Sequence, residues 1–157
     1  MINLPDPGLY RTTKPYPGHE DAIPENALVF VGQNEKTGVT FVVRPGANRL
    51  NRWYWGEPTV PLRSTVWAQT LIALPSEGFY TLPRQIDTGN GGRWIKNAIV
   101  QLGYNREGKG ILFVAEQHKS EGRNILVFSD TGVGIDDTTL NQLVWAPILP
   151  VEATEEK

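Results

Sequence analysis

The chain has no cysteine, only two histidines and a single methionine among its 157 residues, and each shortage removes a class of explanation. Without cysteine there is no disulfide framework and no thiolate chemistry. With His19 and His118 as the only imidazoles, a histidine-rich zinc site is not expected either, so the packing of a core has to hold the fold. No apolar run approaches the roughly 20 residues that span a bilayer. The start, Met1-Ile2-Asn3-Leu4-Pro5-Asp6-Pro7, shows neither a basic leader nor an apolar h-region. These absences lead to the expectation of a soluble cytoplasmic protein without membrane association, metal or cofactor. A basic surplus is missing as well. The formal net charge of −2 argues against tight nonspecific binding to phosphate backbones and so against nucleic acid as the partner.

What the chain does have is punctuation. Sixteen glycines and twelve prolines interrupt it at the rhythm of short strands and turns rather than long helices. Between them stand short β-branched or aromatic runs at Ala27–Val31, Val39–Val43, Ile111–Ala115 and Ile125–Phe128, each read as a strand. Pro5, Pro7, Pro15, Pro17 and Pro24 deny regular ladders to the first thirty residues or so, which suggests an extended segment wrapping the body, pinned by Tyr10 and Tyr16.

An internal repeat organises the rest. Asn26-Ala27-Leu28-Val29-Phe30-Val31-Gly32-Gln33-Asn34 aligns with Asn97-Ala98-Ile99-Val100-Gln101-Leu102-Gly103-Tyr104-Asn105. Each copy is followed by a glycine-containing charged turn and a second strand, in which Phe41-Val42 meets Phe113-Val114. A third strand comes next, around Arg52–Trp55 or Asn124–Phe128. A helical turn follows, with Ser64 or Asp137 as N-cap, Trp67, Leu71 and Leu74 or Leu140, Leu143 and Val144 at helical spacing, and a Leu-Pro step at Leu74-Pro75 or Leu149-Pro150. Three strands, a helical turn and a closing strand resemble, in topology alone, the small five-stranded barrels of the Src-homology-3-like kind. The expected fold class is therefore mostly β: two pseudo-repeated barrels with short helical turns. The expected layout is an extended segment over 1–22, one repeat over 23–83, a linker over 84–93, a second repeat over 94–151 and a polar tail over 152–157.

Two motifs suggest chemistry. Asp130-Thr131-Gly132-Val133-Gly134-Ile135 resembles the first glycine box of the GHKL ATPases, the family of histidine kinases and gyrase-type topoisomerases. The resemblance implies that Asp130 holds adenine, that Gly132 and Gly134 shape the pocket, and that Asn97, on a helix over 93–103, binds Mg²⁺. It makes the fold α+β and the function a reduced ATP-binding domain, since no second glycine-rich box follows. Trp94, Ile95, Ala98, Ile99 and Leu102 fit one face of that helix. In addition, Asp87-Thr88-Gly89 and Asp130-Thr131-Gly132 resemble the signature of aspartic proteases. The two tripeptides are not equivalent in the repeat, however, and turns explain both. No nucleophile motif stands near His19 or His118, so no catalytic residue is expected.

Arg52-Trp53-Tyr54-Trp55 is the more informative element. In a strand the two tryptophans share one face and Tyr54 takes the other, with Arg44 and Arg49 in the preceding loop. From Gly38 to Arg63 the only acid is Glu57, so this stretch is locally basic. Buried tryptophans would put Arg52 and Tyr54 outside, whereas a buried tyrosine would put two tryptophans outside; a third arrangement buries all three in the core. The expected function is a non-enzymatic interaction module. It recognises a protein, a peptide or a small anionic ligand through Arg44, Arg49, Arg52, Trp53, Tyr54 and Trp55, and homo-oligomers are a further expectation.

Overall fold

The chain is strand-rich, with two short helices, in the computed structural model, which describes residues 3–87, 91–118, 122 and 125–146. The first half contains β1 (Gly8–Arg11), β2 (Leu28–Gln33), β3 (Thr40–Val43), β4 (Pro45–Arg49), β5 (Arg52–Trp55), β6 (Val60–Pro61), α1 (Thr65–Ala68) and β7 (Ile72–Ala73). The second contains β8 (Gly78–Thr81), β9 (Ile86–Asp87), β10 (Arg93–Trp94), β11 (Ile99–Tyr104), β12 (Gly110–His118), β13 (Ile125–Phe128), β14 (Val133–Gly134), α2 (Asp137–Gln142) and β15 (Val144–Trp145).

All strand pairs are antiparallel, and the two main sheets run in the orders β6-β3-β2-β1-β7 and β13-β12-β11-β8-β15, with β14 also paired to β12. Residues 8–11, expected to wrap the outside, instead form a strand between β2 and β7. Residues 78–81 likewise belong to the second sheet, between β11 and β15. Neither sheet closes into a barrel among the described residues. Strands β6 and β7, at opposite ends of the first sheet, are two residues each, and Pro61 has no N–H to donate.

The helix that the ATPase resemblance requires over 93–103 is not formed. Arg93–Trp94 pairs with Ile86–Asp87, Asn97 occupies a turn at φ 67°, and Ile99–Tyr104 is a strand bonded on both sides, to β8 and to β12. The β-branched Ile99-Val100 and the buried face of Val100, Leu102 and Tyr104, which alternate as a strand requires, outweigh the helical spacing seen in the sequence. The expected match of Phe41-Val42 with Phe113-Val114 is not kept by the pairing, since Gly32 lies opposite Phe41 and Gly103 opposite Ile111. Ser64 caps α1, its hydroxyl accepting the Trp67 N–H at 3.2 Å. In α2 the cap is Asp136, which accepts the Thr139 N–H at 2.7 Å, and Asp137 is the first helical residue. The Asn124, Leu149-Pro150 and 152–157 expectations lie outside the described residues.

Two cores result. One gathers Ile23, Val29, Val31, Val42, Val60 and Trp67 around Tyr16, whose hydroxyl accepts the Arg63 N–H and donates to the Pro61 carbonyl, both at 3.0 Å. The other gathers Tyr80, Leu82, Val100, Leu102, Leu112, Ile135 and Leu140, and draws in Leu9, Leu28, Trp53, Trp55 and Leu74 from the first half. The halves are thus packed into each other. The Leu28 N–H bonds the Arg106 carbonyl at 2.8 Å, and Arg11 grips both Asp137 oxygens, at 3.0 and 2.5 Å.

Candidate functional site

Strands β4 and β5 form a hairpin that leaves the first sheet and lies against the second. A bulge between Pro45 and Ala47 gives the hairpin its bend. There Gly46 and Gly56 approach so closely that a Cβ on Gly46 would stand 3.1 Å from the Gly56 Cα. The tip is the pair Leu50-Asn51, both left-handed at φ 52° and 63°, as a two-residue hairpin turn requires. Gln101 of β11 holds it from below. Its Oε1 accepts from Asn51 Nδ2 at 3.1 Å, and its Nε2 donates to the Leu50 carbonyl at 3.2 Å.

The alternation of β5 decides what faces outward. Trp53 and Trp55 turn inward. The Trp53 indole N–H donates to the Tyr104 carbonyl at 2.7 Å, and the Arg106 guanidinium stands 4.9 Å over its ring. Trp55 stacks on Phe30 at 5.3 Å. Tyr54 and Arg52 are exposed. Tyr54, 51 % exposed, has Arg49 at 5.7 Å and Arg52 at 6.0 Å from its ring centre. Neither guanidinium forms an ion pair among the described residues, so both retain donors for a ligand.

Arg44 is placed differently. Its Nη1 donates to the carbonyls of Leu28 at 2.7 Å and Arg106 at 3.2 Å, inside the joint between the halves. Burial, aided by the nearby Arg106, pushes its pKa down. Arg44 is thus engaged in the fold, while Arg49 and Arg52 face a cleft.

That cleft has a volume of about 740 Å³ and runs between the hairpin and β8. Arg49, Leu50, Arg52, Tyr54, Glu77 and Phe79 are among the residues lining it. Leu50, Glu77 and Phe79 carried no signal as site residues in the sequence. Leu50 is 93 % exposed, an aliphatic side chain displayed on a left-handed backbone that disfavours it. Glu77 accepts the Trp53 backbone N–H at 3.1 Å; burial raises its pKa, against the lowering effects of that bond and of Arg52. One wall is apolar, two cations stand at the rim, and the one carboxylate is tied to the scaffold.

The residues of the expected nucleotide box lie apart from this cleft. Asn97 lies in the turn before β11, its N–H bonded to the Leu82 carbonyl at 2.9 Å, and Asp130 is exposed in the bend after β13. A Cβ at Gly132 would collide with Ile111 and Phe113, so close packing accounts for that glycine. At Gly134 a Cβ would meet Lys109. Of the protease signatures, Asp87 lies 4.0 Å from Arg93 across the β9–β10 pair, and Thr88-Gly89 falls outside the described residues.

Comparison of the chain with known protein families, with curated proteins and with solved structures finds no match.

Proposed function

We propose that the chain is a non-enzymatic binding module that recognises a partner protein or peptide at the cleft between the β4–β5 hairpin and β8. A single observation carries this reading: Arg49, Arg52 and Tyr54 form an outward cluster, held rigidly from behind because Trp53 and Trp55 anchor the same strand in the core. Rigid aromatic and arginine side chains beside an apolar wall are the composition of interface hot spots. The free guanidiniums select a carboxylate-bearing partner or a small anionic ligand, while Leu50 and Phe79 offer its apolar groups a seat.

The scaffold reading belongs with it. Two copies of one Src-homology-3-like unit, each an open version of that strand order, account for several paired features. The sheet orders correspond strand for strand, β6-β3-β2-β1-β7 with β14-β12-β11-β8-β15. Asn34 and Asn105 each accept a backbone N–H two residues on, from Lys36 at 2.9 Å and Glu107 at 3.1 Å. A short capped helix precedes the last strand in both. The cysteine-free composition suits a reducing, cytoplasmic setting.

The test is a pull-down from cell extract with the wild type and with an Arg52→Ala/Tyr54→Ala variant, followed by direct titration of whatever is captured after purification. The expected outcome is a partner that the wild type retains and the variant loses. Equal retention by both removes the aromatic-arginine site.

A further inference from the structure

Strand β12 is longer than the sheet that supports it. Its residues up to Val114 pair with β11, whereas among the described residues Ala115–His118 pair only with Phe128–Ile125 of β13. The result is a two-stranded ribbon extending past the sheet, and such ribbons are marginal in water without further packing. Consecutive residues on β13 point to opposite faces, and Ile125, Leu126 and Val127 are 41 %, 51 % and 45 % exposed, so both faces are open. Phe128 alone makes an aromatic contact, with Phe79 at 5.4 Å. The strand holds none of the guards of a free edge, being without lysine, proline, charge or bulge.

The other half of the chain meets the same situation with a solution. There β3 continues into β4, β4 pairs with β5, and this hairpin seats Trp53 and Trp55 against the neighbouring sheet of the same chain. The hairpin in this position thus packs on another β element, and among the described residues no strand lies on the outer edge of β13, which is open to a second copy.

We infer that β13 pairs antiparallel with β13 of a second copy across a two-fold axis, joining two ribbons into one four-stranded element. The ladder sets which N–H groups of β13 face outward. The Ser129 N–H bonds the Val114 carbonyl, so alternation turns the N–H groups of Leu126 and Phe128 away from β12. With the two-fold axis at Val127, pairing through those outward groups sets Leu126 against Phe128 of the other copy and Val127 beside its equivalent. The three central pairs are apolar, Ile125 falls opposite Ser129, and no like charges meet.

Sedimentation velocity on the full chain, from micromolar to submillimolar concentration, tests this independently of the cleft. The wild type is expected to shift from monomer to dimer as concentration rises, with amide exchange slowed at Leu126 and Phe128 in the dimer. Leu126→Lys with Val127→Lys places charges in the seam and is expected to weaken the dimer by at least roughly tenfold. Leu126→Pro, which removes one outward donor and leaves the bonds to β12 in place, is expected to weaken it too. Leu50→Lys, on the other hairpin, is expected to leave it unchanged. A monomer at every concentration, or a dimer that survives both β13 variants with their circular dichroism unchanged, overturns the inference.

Discussion

Replacing Trp53 by alanine removes the indole bond to the Tyr104 carbonyl, the ring beneath Arg106 and a large part of the joint between the halves. The expected loss is about 3–5 kcal/mol of unfolding free energy, as for large aromatics cut out of a core, read from urea titrations. Tyr54→Ala, one residue on, removes an exposed ring and is expected to change stability by less than about 0.5 kcal/mol while weakening partner binding. Glu77 gives the site a pH dependence. Burial raises its folded pKa above the ordinary 4.5, so its favourable contribution is full below that value and is lost as pH rises through the raised one. Glu77→Gln keeps an acceptor for the Trp53 N–H without the buried charge. It is expected to match the wild type in urea midpoint at pH 4 and exceed it at pH 7; a lower midpoint at pH 7 contradicts this account of Glu77.

The β4–β5 hairpin places strain where the cleft opens. Leu50 is left-handed and its side chain faces solvent, so Leu50→Gly relieves the backbone without removing packing. The expected result is a net stability gain of about 0.5–1 kcal/mol by urea titration, the relieved left-handed strain of roughly 1–2 kcal/mol less the entropy glycine adds to the unfolded chain, together with weaker binding of the partner. Part of this element was legible beforehand. The alternation of Arg52–Trp55 foretold that two tryptophans share a face, and only the sheet beneath shows that this face is the inner one. Strand β4 was not legible, because Pro45-Gly46-Ala47-Asn48-Arg49 reads as a turn and becomes a strand only through pairing with β5. Strands β1 and β8 escaped for a related reason: Gly8–Arg11 and Gly78–Thr81 are short, begin with glycine and have prolines nearby, so their strand character comes from their neighbours. By contrast β2, β3, β12 and β13 carry continuous β-branched and aromatic runs and were read directly. Glu77 and Phe79 stand well downstream of the hairpin in sequence, and nothing local marks them as part of the cleft that the fold assembles.

Across the whole molecule the halves share a core and are cross-linked by Arg11, Arg44 and Arg106, so they are expected to unfold together. Tryptophan fluorescence and far-ultraviolet circular dichroism should give one coincident urea transition, and two separated transitions contradict a shared core. The Arg11–Asp137 pair lends this joint a mild acid sensitivity. The bond from Arg11 holds the Asp137 carboxyl below its ordinary 3.8, so its contribution is present above that value and lost as pH falls through the lowered one. With Asp137 largely exposed, Arg11→Ala is expected to cost no more than about 1 kcal/mol from the ion pair itself. Binding at the cleft is the claim on which the functional account turns. Its most direct measurement is calorimetric titration of the purified, captured partner into the wild type and into the Arg52→Ala/Tyr54→Ala variant at equal salt. The account predicts at least a roughly tenfold rise in Kd, about 1.4 kcal/mol, with unfolding free energy unchanged. The same Kd for both proteins would contradict it.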